Sequence, residues 1–156
     1  MKEEKKVITF DFDDTLALSH WDEDIDWWVH DGPQDYMMKR FSDFKEKGYK
    51  VYIVTSRHED QEDNTRPTST TVADFVQKHN LQPDGIYFTN GQPKIKRLLS
   101  LGSAMHHDDD PGDILDARAN GIKAVISDPY GDYQSHEASE MKLRGNSNDE
   151  DHIETD

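Results

Sequence analysis

The sequence predicts an α/β fold, a doubly wound parallel five-stranded sheet with helices on both faces. Two observations predict it. Five short apolar, β-rich runs alternate with stretches of helical periodicity, and polar residues suited to chemistry gather at the carboxyl ends of those runs. In such sheets a ligand sits beyond the carboxyl ends of the strands, where the strand order reverses.

The strand-like runs are residues 7–11, 49–55, 85–89, 104–108 and 123–127. Each is short and apolar enough to be buried on both faces. The first helix, 34–47, places Met37, Phe41 and Phe44 on one side and stops at Gly48. The second, 69–79, aligns Val72, Phe75 and Val76. The third begins at Pro93, turns Ile95, Leu98 and Leu99 inward, and ends at Gly102. The fourth, 111–120, opens on Pro111, buries Ile114 and Leu115, and is followed by Gly121. Pro near the start and Gly past the end is the usual asymmetry of helix termini.

A chain of 156 residues is one domain with room for a core. The domain is expected over 1–133. Residues 134–156 lack apolar periodicity, are rich in acidic and small polar residues, and read as a disordered tail. The formal charge of −15 argues against broad, sequence-independent nucleic-acid binding, which relies on Lys and Arg neutralising phosphates. It is compatible with a phosphorylated substrate, because a divalent cation reverses the sign locally. With no cysteine there is no disulfide, thiolate nucleophile or Cys-type zinc site. No run is long enough for a signal core or a membrane span, so a cytoplasmic protein without a membrane partner is expected.

The first run ends in Asp11-Phe12-Asp13-Asp14-Thr15-Leu16. Buried strands rarely end in three carboxylates, because packed like charges repel unless a cation neutralises them or chemistry uses them. The plainer alternative is an acidic loop capping the next helix. A second acidic pair, Asp108 and Asp109, ends the fourth run. Hard oxygen donors from two distant strands suit Mg²⁺ better than zinc. Asp110-Pro111-Gly112-Asp113 reads as a helix start, with Asp110 the N-cap; Asp113 can cap and also hydrogen-bond around the metal. Thr55 ends a strand where its hydroxyl could reach a substrate oxygen. Arg57 and His58 follow on a polar loop, as substrate contacts or as solvated charges. Lys94, in the first turn of a helix, opposes the macrodipole, and such violations concentrate at functional sites. Lys96 is a rival that points away from the apolar stripe. His106 and His107 are adjacent on a strand, point to opposite faces and do not share an ion. Trp21, Trp27, Trp28 and His30 either stack on a substrate ring or close a hydrophobic flap over the sheet. No phosphate-binding P-loop, dinucleotide fingerprint or serine elbow is present.

Taken together, these motifs resemble the haloacid dehalogenase superfamily of phosphohydrolases. Its Asp-x-Asp-x-Thr-Leu motif matches Val7 to Leu16, its strand ending in Thr matches Val51 to Thr55, its lysine matches Lys94, and its acidic motif matches Asp108, Asp109 and Asp113. The resemblance covers roughly residues 7–127 and implies a sheet order of 5-4-1-2-3. It implies a Mg²⁺-dependent phosphomonoester hydrolase with Asp11 as nucleophile and Asp13 as general acid and then base. Mg²⁺ would be held by Asp11, the carbonyl of Asp13, and Asp109, with Asp108 and Asp113 in support, while Thr55 and Lys94 bind the phosphoryl oxygens. Asp14 departs from the commoner Gly. Residues 17–33 and 57–70 fall well below the about 50 residues of an independent domain, which implies the capless type, open to large substrates or shielded by homo-oligomerisation. Val54 to Arg57 is also similar to the second motif of polynucleotide 3′-phosphatases and small nucleotidases. The expected substrate is thus a phosphorylated small molecule, a nucleotide or a nucleic-acid end, contacted by Arg57, His58, Trp21 and Trp27. A non-catalytic metal- and phosphate-binding module, or a phosphotransferase to an acceptor other than water, is the alternative.

Overall fold

β1 (Val7–Phe10) lies at the centre of a parallel sheet whose remaining strands are β4 (Lys50–Thr55), β5 (Gly85–Phe88), β6 (Ser103–Asp108) and β7 (Lys123–Ile126). The computed structural model describes residues 6–64 and 67–128. The expected boundary at 133 and the acidic tail of 134–156 lie outside the described residues.

Between β1 and β4 come β2 (Ala17–Asp22), β3 (Trp27–Pro33) and helix α1 (Asp35–Glu46). The other helices are α2 (Val72–Lys78), α3 (Ile95–Leu101) and α4 (Pro111–Ala119). The sheet order is β5-β4-β1-β6-β7. In chain numbering this differs from the expected 5-4-1-2-3, because two strands not foreseen from the sequence, β2 and β3, enter the count. β1 pairs in parallel with both β4 and β6, so the order reverses on either side of it. Asp11, immediately after β1, therefore stands at the switch point where such sheets bind ligands.

Each strand alternates between two cores. Ile53 and Val125 join Phe10, Met37, Phe41, Phe44 and Phe75 under α1 and α2. Val54, Ala124 and Ile126 join Leu98, Ile114 and Ala117 under α3 and α4. Two helices thus cover each face, as the alternating pattern requires.

Several local expectations are corrected. α2 begins at Val72, not at 69, because Thr71 accepts a hydrogen bond from the Asp74 N–H and caps it. Leu99 is 51% exposed, since it lies about 100° round the helix from the buried Leu98 and α3 packs on one side only. Leu115 is only half-buried; Ile114 and Ala117 make the contact instead. The first inserted segment, read as a flap, is an antiparallel hairpin of β2 and β3, with Trp21 opposite Trp28 and Asp22 opposite Trp27. Among the described residues it is the sole sheet besides the main one. No helix of the described residues is long and apolar enough to cross a membrane.

Candidate active site

Asp11 continues β1 by one residue, its N–H donating to His107 O at 2.8 Å, and this delivers its carboxylate to the end of β6. There the carboxylate oxygens of Asp11, Asp108 and Asp109 lie within 4.8 Å of one another. Lys94, the N-cap residue of α3, is buried, and its Nζ donates to Asp11 Oδ1 at 2.8 Å and Asp108 Oδ2 at 2.6 Å. Asp113 Oδ2 is 3.7 Å from the same nitrogen. Lys96 is exposed. Thr15 donates to Asp11 Oδ2 at 3.1 Å, so both oxygens of this carboxylate are held.

Three carboxylates thus face one ammonium, with Asp109 beside two of them, and the electrostatics follow. Burial pushes Asp11 well above the usual carboxylate range, and the charge of Asp108 adds to that against the pull of Lys94. Burial raises Asp109 to about 7, with Asp108 and Asp14 contributing, and raises Asp113 to about 6, with Asp108 contributing. Asp108 moves the other way: burial opposes its charge, but Lys94 and His106 outweigh burial and hold it well below its ordinary value. For Lys94, burial disfavours the ammonium, yet Asp11 and Asp108 dominate and raise it. Negative charge therefore exceeds positive charge around a set of hard oxygen donors. The residues present fit a divalent cation held by Asp11, Asp108 and Asp109.

The sign of the pH dependence follows. Asp109 and Asp113 have raised values, so without a cation the folded chain binds more protons than the unfolded one. Stability is then lost as pH rises from about 4 towards about 7. A cation that replaces those protons offsets the loss. Thermal melts at about pH 5 and about pH 8, with and without Mg²⁺, should show the larger Mg²⁺-induced rise at the higher pH. Equal rises at both would contradict a cation bound by these carboxylates.

Asp13 does not join the carboxylate cluster. Its side chain, 43% exposed, forms a bidentate pair with Arg57, whose Nε and Nη2 donate to Asp13 Oδ2 and Oδ1, each at 2.8 Å. Arg57 is in turn held by Glu62 at 3.0 Å and Thr70 O at 2.8 Å, and lies over the Phe12 ring at 4.9 Å. Arg57, expected to contact substrate, thus has its fork engaged by Asp13 while it lines a cavity beside Asp13. Thr55 is buried at the end of β4, where its hydroxyl oxygen accepts from the Arg57 N–H at 3.2 Å and keeps its own proton to donate.

His106 and His107 take opposite faces. His107 stacks on Phe10 at 3.9 Å and accepts from Arg40 Nε. Burial lowers His106, and the ring bridges two partners, with Nε2 2.8 Å from Asp108 Oδ2 and Nδ1 2.8 Å from the Thr9 hydroxyl. His106 orients Asp108 without being a ligand. Asp110 caps α4 by accepting from the Gly112 N–H. Asp113 does not close a capping box: the Asp110 N–H goes to Asp108 Oδ1, and Asp113 instead accepts from the Lys94 N–H.

Four residues shape the loop after Asp11: Thr15 and Asp14, both within the acidic motif, and Gln34 and Ser127, which were not legible as site residues. Asp14 adopts φ 60°, a left-handed conformation that costs most residues about 1 kcal/mol and that short polar side chains tolerate best. Its Oδ1 accepts from Ser19 N and Oγ and so ties β2 to the loop. Gln34 donates to Thr15 O and Ser127 Oγ, and Ser127 donates to Asp14 O. The Thr in Asp-x-Asp-x-Thr was the available signal for the first of these.

Beside this loop lies a cavity of about 700 Å³, bounded by Asp13 and Asp14, the hairpin and the segment after β4. Trp27, Trp28, Arg57 and His58 line it. Trp21 does not; it is 44% exposed and packs edge-on against Trp28 at 5.4 Å. The structure therefore brings Trp28 to the cavity in place of Trp21, its cross-strand partner.

No family model matches the chain, and no curated protein does. Solved structures share its fold. One chain in a structure of a Pnkp1/Rnl/Hen1 complex matches with TM-score 0.58 and 20% identity, over 82% of this chain and 47% of that one. The present chain thus spans about half the length of that relative. A hypothetical protein from Xanthomonas campestris matches with TM-score 0.53 and 16% identity, over 89% and 79%. The core domain of a protein provisionally described as a phosphoglycolate phosphatase from Streptococcus pneumoniae gives TM-score 0.46 and 12% identity, over 93% and 98%. At these identities the likeness to the first two establishes the fold alone.

Proposed function

We propose that the protein is a Mg²⁺-dependent phosphomonoester hydrolase that works through an aspartyl-phosphate, with a nucleotide or nucleic-acid end phosphate as substrate class. The observation that carries this reading is the buried meeting of Asp11, Asp108 and Asp109 with the Lys94 ammonium at the switch point of the sheet. The resemblance to the haloacid dehalogenase motifs, residue by residue, supports it.

Mg²⁺, when bound by Asp11, Asp108 and Asp109, would offset the repulsion between an anionic carboxylate and an anionic phosphate. Asp11, oriented by Lys94 and Thr15, forms a bond from a carboxylate oxygen to phosphorus as the bond from phosphorus to the leaving oxygen breaks. Asp13, positioned by Arg57, gives a proton to that oxygen. It then takes a proton from water, whose oxygen attacks phosphorus, breaks the bond to Asp11 and releases inorganic phosphate. Thr55 and Lys94 donate to the phosphoryl oxygens as charge builds on them.

Phosphate release, followed with and without Mg²⁺, tests the reading. Turnover should require the cation. Asp13→Asn should lower kcat by about 10²–10⁴-fold for an alkyl phosphate, and less for p-nitrophenyl phosphate, whose leaving group departs without a proton. Equal losses on both esters would remove Asp13 from the acid role. No cation-dependent release from any ester would remove the hydrolase reading itself.

A further inference from the structure

The cavity beside Asp13 carries an inference about the leaving group, resting on the hydrolase reading above. Its volume, about 700 Å³, falls within the range of sites that enclose small organic ligands. Its charge is one-sided. Asp13, Asp14 and Glu62 line it, and among the described residues that do so Arg57 is the one Lys or Arg side chain. That guanidinium is already engaged by Asp13, Glu62 and the Thr70 carbonyl. A cation on Asp11, Asp108 and Asp109 would balance the transferring phosphoryl group, but among the described residues the cavity has no comparable positive charge for a second phosphate. Carboxylates facing a further phosphate repel it at short range.

What the cavity does offer is flat aromatic surface and hydrogen-bonding groups. Trp27 and Trp28 come from the hairpin, and His58 from the segment after β4. Ser69 and Thr70 add hydroxyls. Indole faces stack on nucleobases with little regard to sequence, and hydroxyls suit a sugar or a base edge.

We infer that the cavity binds the nucleoside of a nucleoside monophosphate, and that the protein discriminates against nucleoside diphosphates and phosphorylated oligonucleotide ends. The ester attacked carries the only phosphate the site accepts.

The three tryptophans of the chain, Trp21, Trp27 and Trp28, all lie on the hairpin, so intrinsic tryptophan fluorescence reports on it alone. With Mg²⁺ present, AMP should quench it saturably, while ADP and a 3′-phosphorylated dinucleotide should bind about 10-fold or more weakly. The ratio of kcat/KM for AMP over that for ribose 5-phosphate should fall about 10-fold in Trp27→Ala and in Trp28→Ala. ADP or the dinucleotide binding as tightly as AMP would overturn the inference. So would AMP and ribose 5-phosphate being turned over alike, an outcome that leaves the hydrolase reading standing. If no ester is hydrolysed, the hydrolase reading fails, and the AMP titration still decides the cavity: saturable quenching supports a nucleoside site, and none refutes it.

Discussion

Asp11→Asn is expected to abolish turnover, by about 10⁴–10⁶-fold, and to leave the fold intact. An amide keeps the shape of the side chain. Its oxygen can still accept from Lys94 Nζ, and its nitrogen can donate to the Thr15 hydroxyl, so both neighbours remain partnered. What disappears is the nucleophile. One buried charge also disappears from a cluster where burial and Asp108 already oppose it. The melting temperature without Mg²⁺ should therefore equal or exceed that of the parent chain. This split separates a reacting group from a structural one. A structural Asp11 would lose stability along with activity, and residual turnover near the parent rate would assign the attack to another residue.

Lys94→Met should do the reverse, harming stability and activity together. The ammonium is buried and lies against Asp11 and Asp108, with Asp113 nearby. Removing one partner from a buried ionic cluster leaves uncompensated charge and costs about 3–5 kcal/mol. For a domain of this size that is a fall in melting temperature on the order of 10 °C. Mg²⁺ should restore part of it, because the cation supplies positive charge where the ammonium was lost. kcat should drop by about 10²–10³-fold even at saturating Mg²⁺, the usual cost of removing one donor to a transferring group. A melting temperature close to that of the parent chain, with or without Mg²⁺, would show that Lys94 does not hold the cluster together.

The sequence announced this centre because its residues break local rules. Carboxylates at the end of a buried strand and a lysine at a helix start are costly unless something distant balances them, and each costly residue proved to face another. Asp11 and Lys94 are 83 residues apart, yet each was conspicuous alone. Residues that obey local rules gave no such sign. Gln34 and Ser127 were not singled out, and their bonds to the loop of Asp14 and Thr15 depend on how it curls. Arg57 reads as a substrate contact or a solvated charge; its partner Asp13 lies 44 residues away, and only the parallel pairing of β1 with β4 brings them together. The hairpin was obscured because its alternation runs for only a few residues on each side of Asp22 to Asp26. Leu99 was misplaced because Ile95, Leu98 and Leu99 share a stripe in projection, whereas α3 rests on the sheet through Leu98 and not through Leu99.

The central claim is that Asp11 carries the phosphoryl group between substrate and water. Acid quenching of the Mg²⁺-loaded protein during turnover, followed by peptide mass spectrometry, tests it most directly. The account predicts one added phosphoryl group on the peptide holding Asp11, absent in Asp11→Asn and absent without Mg²⁺. Steady turnover with that peptide unmodified, or with the group on a different residue, would contradict it.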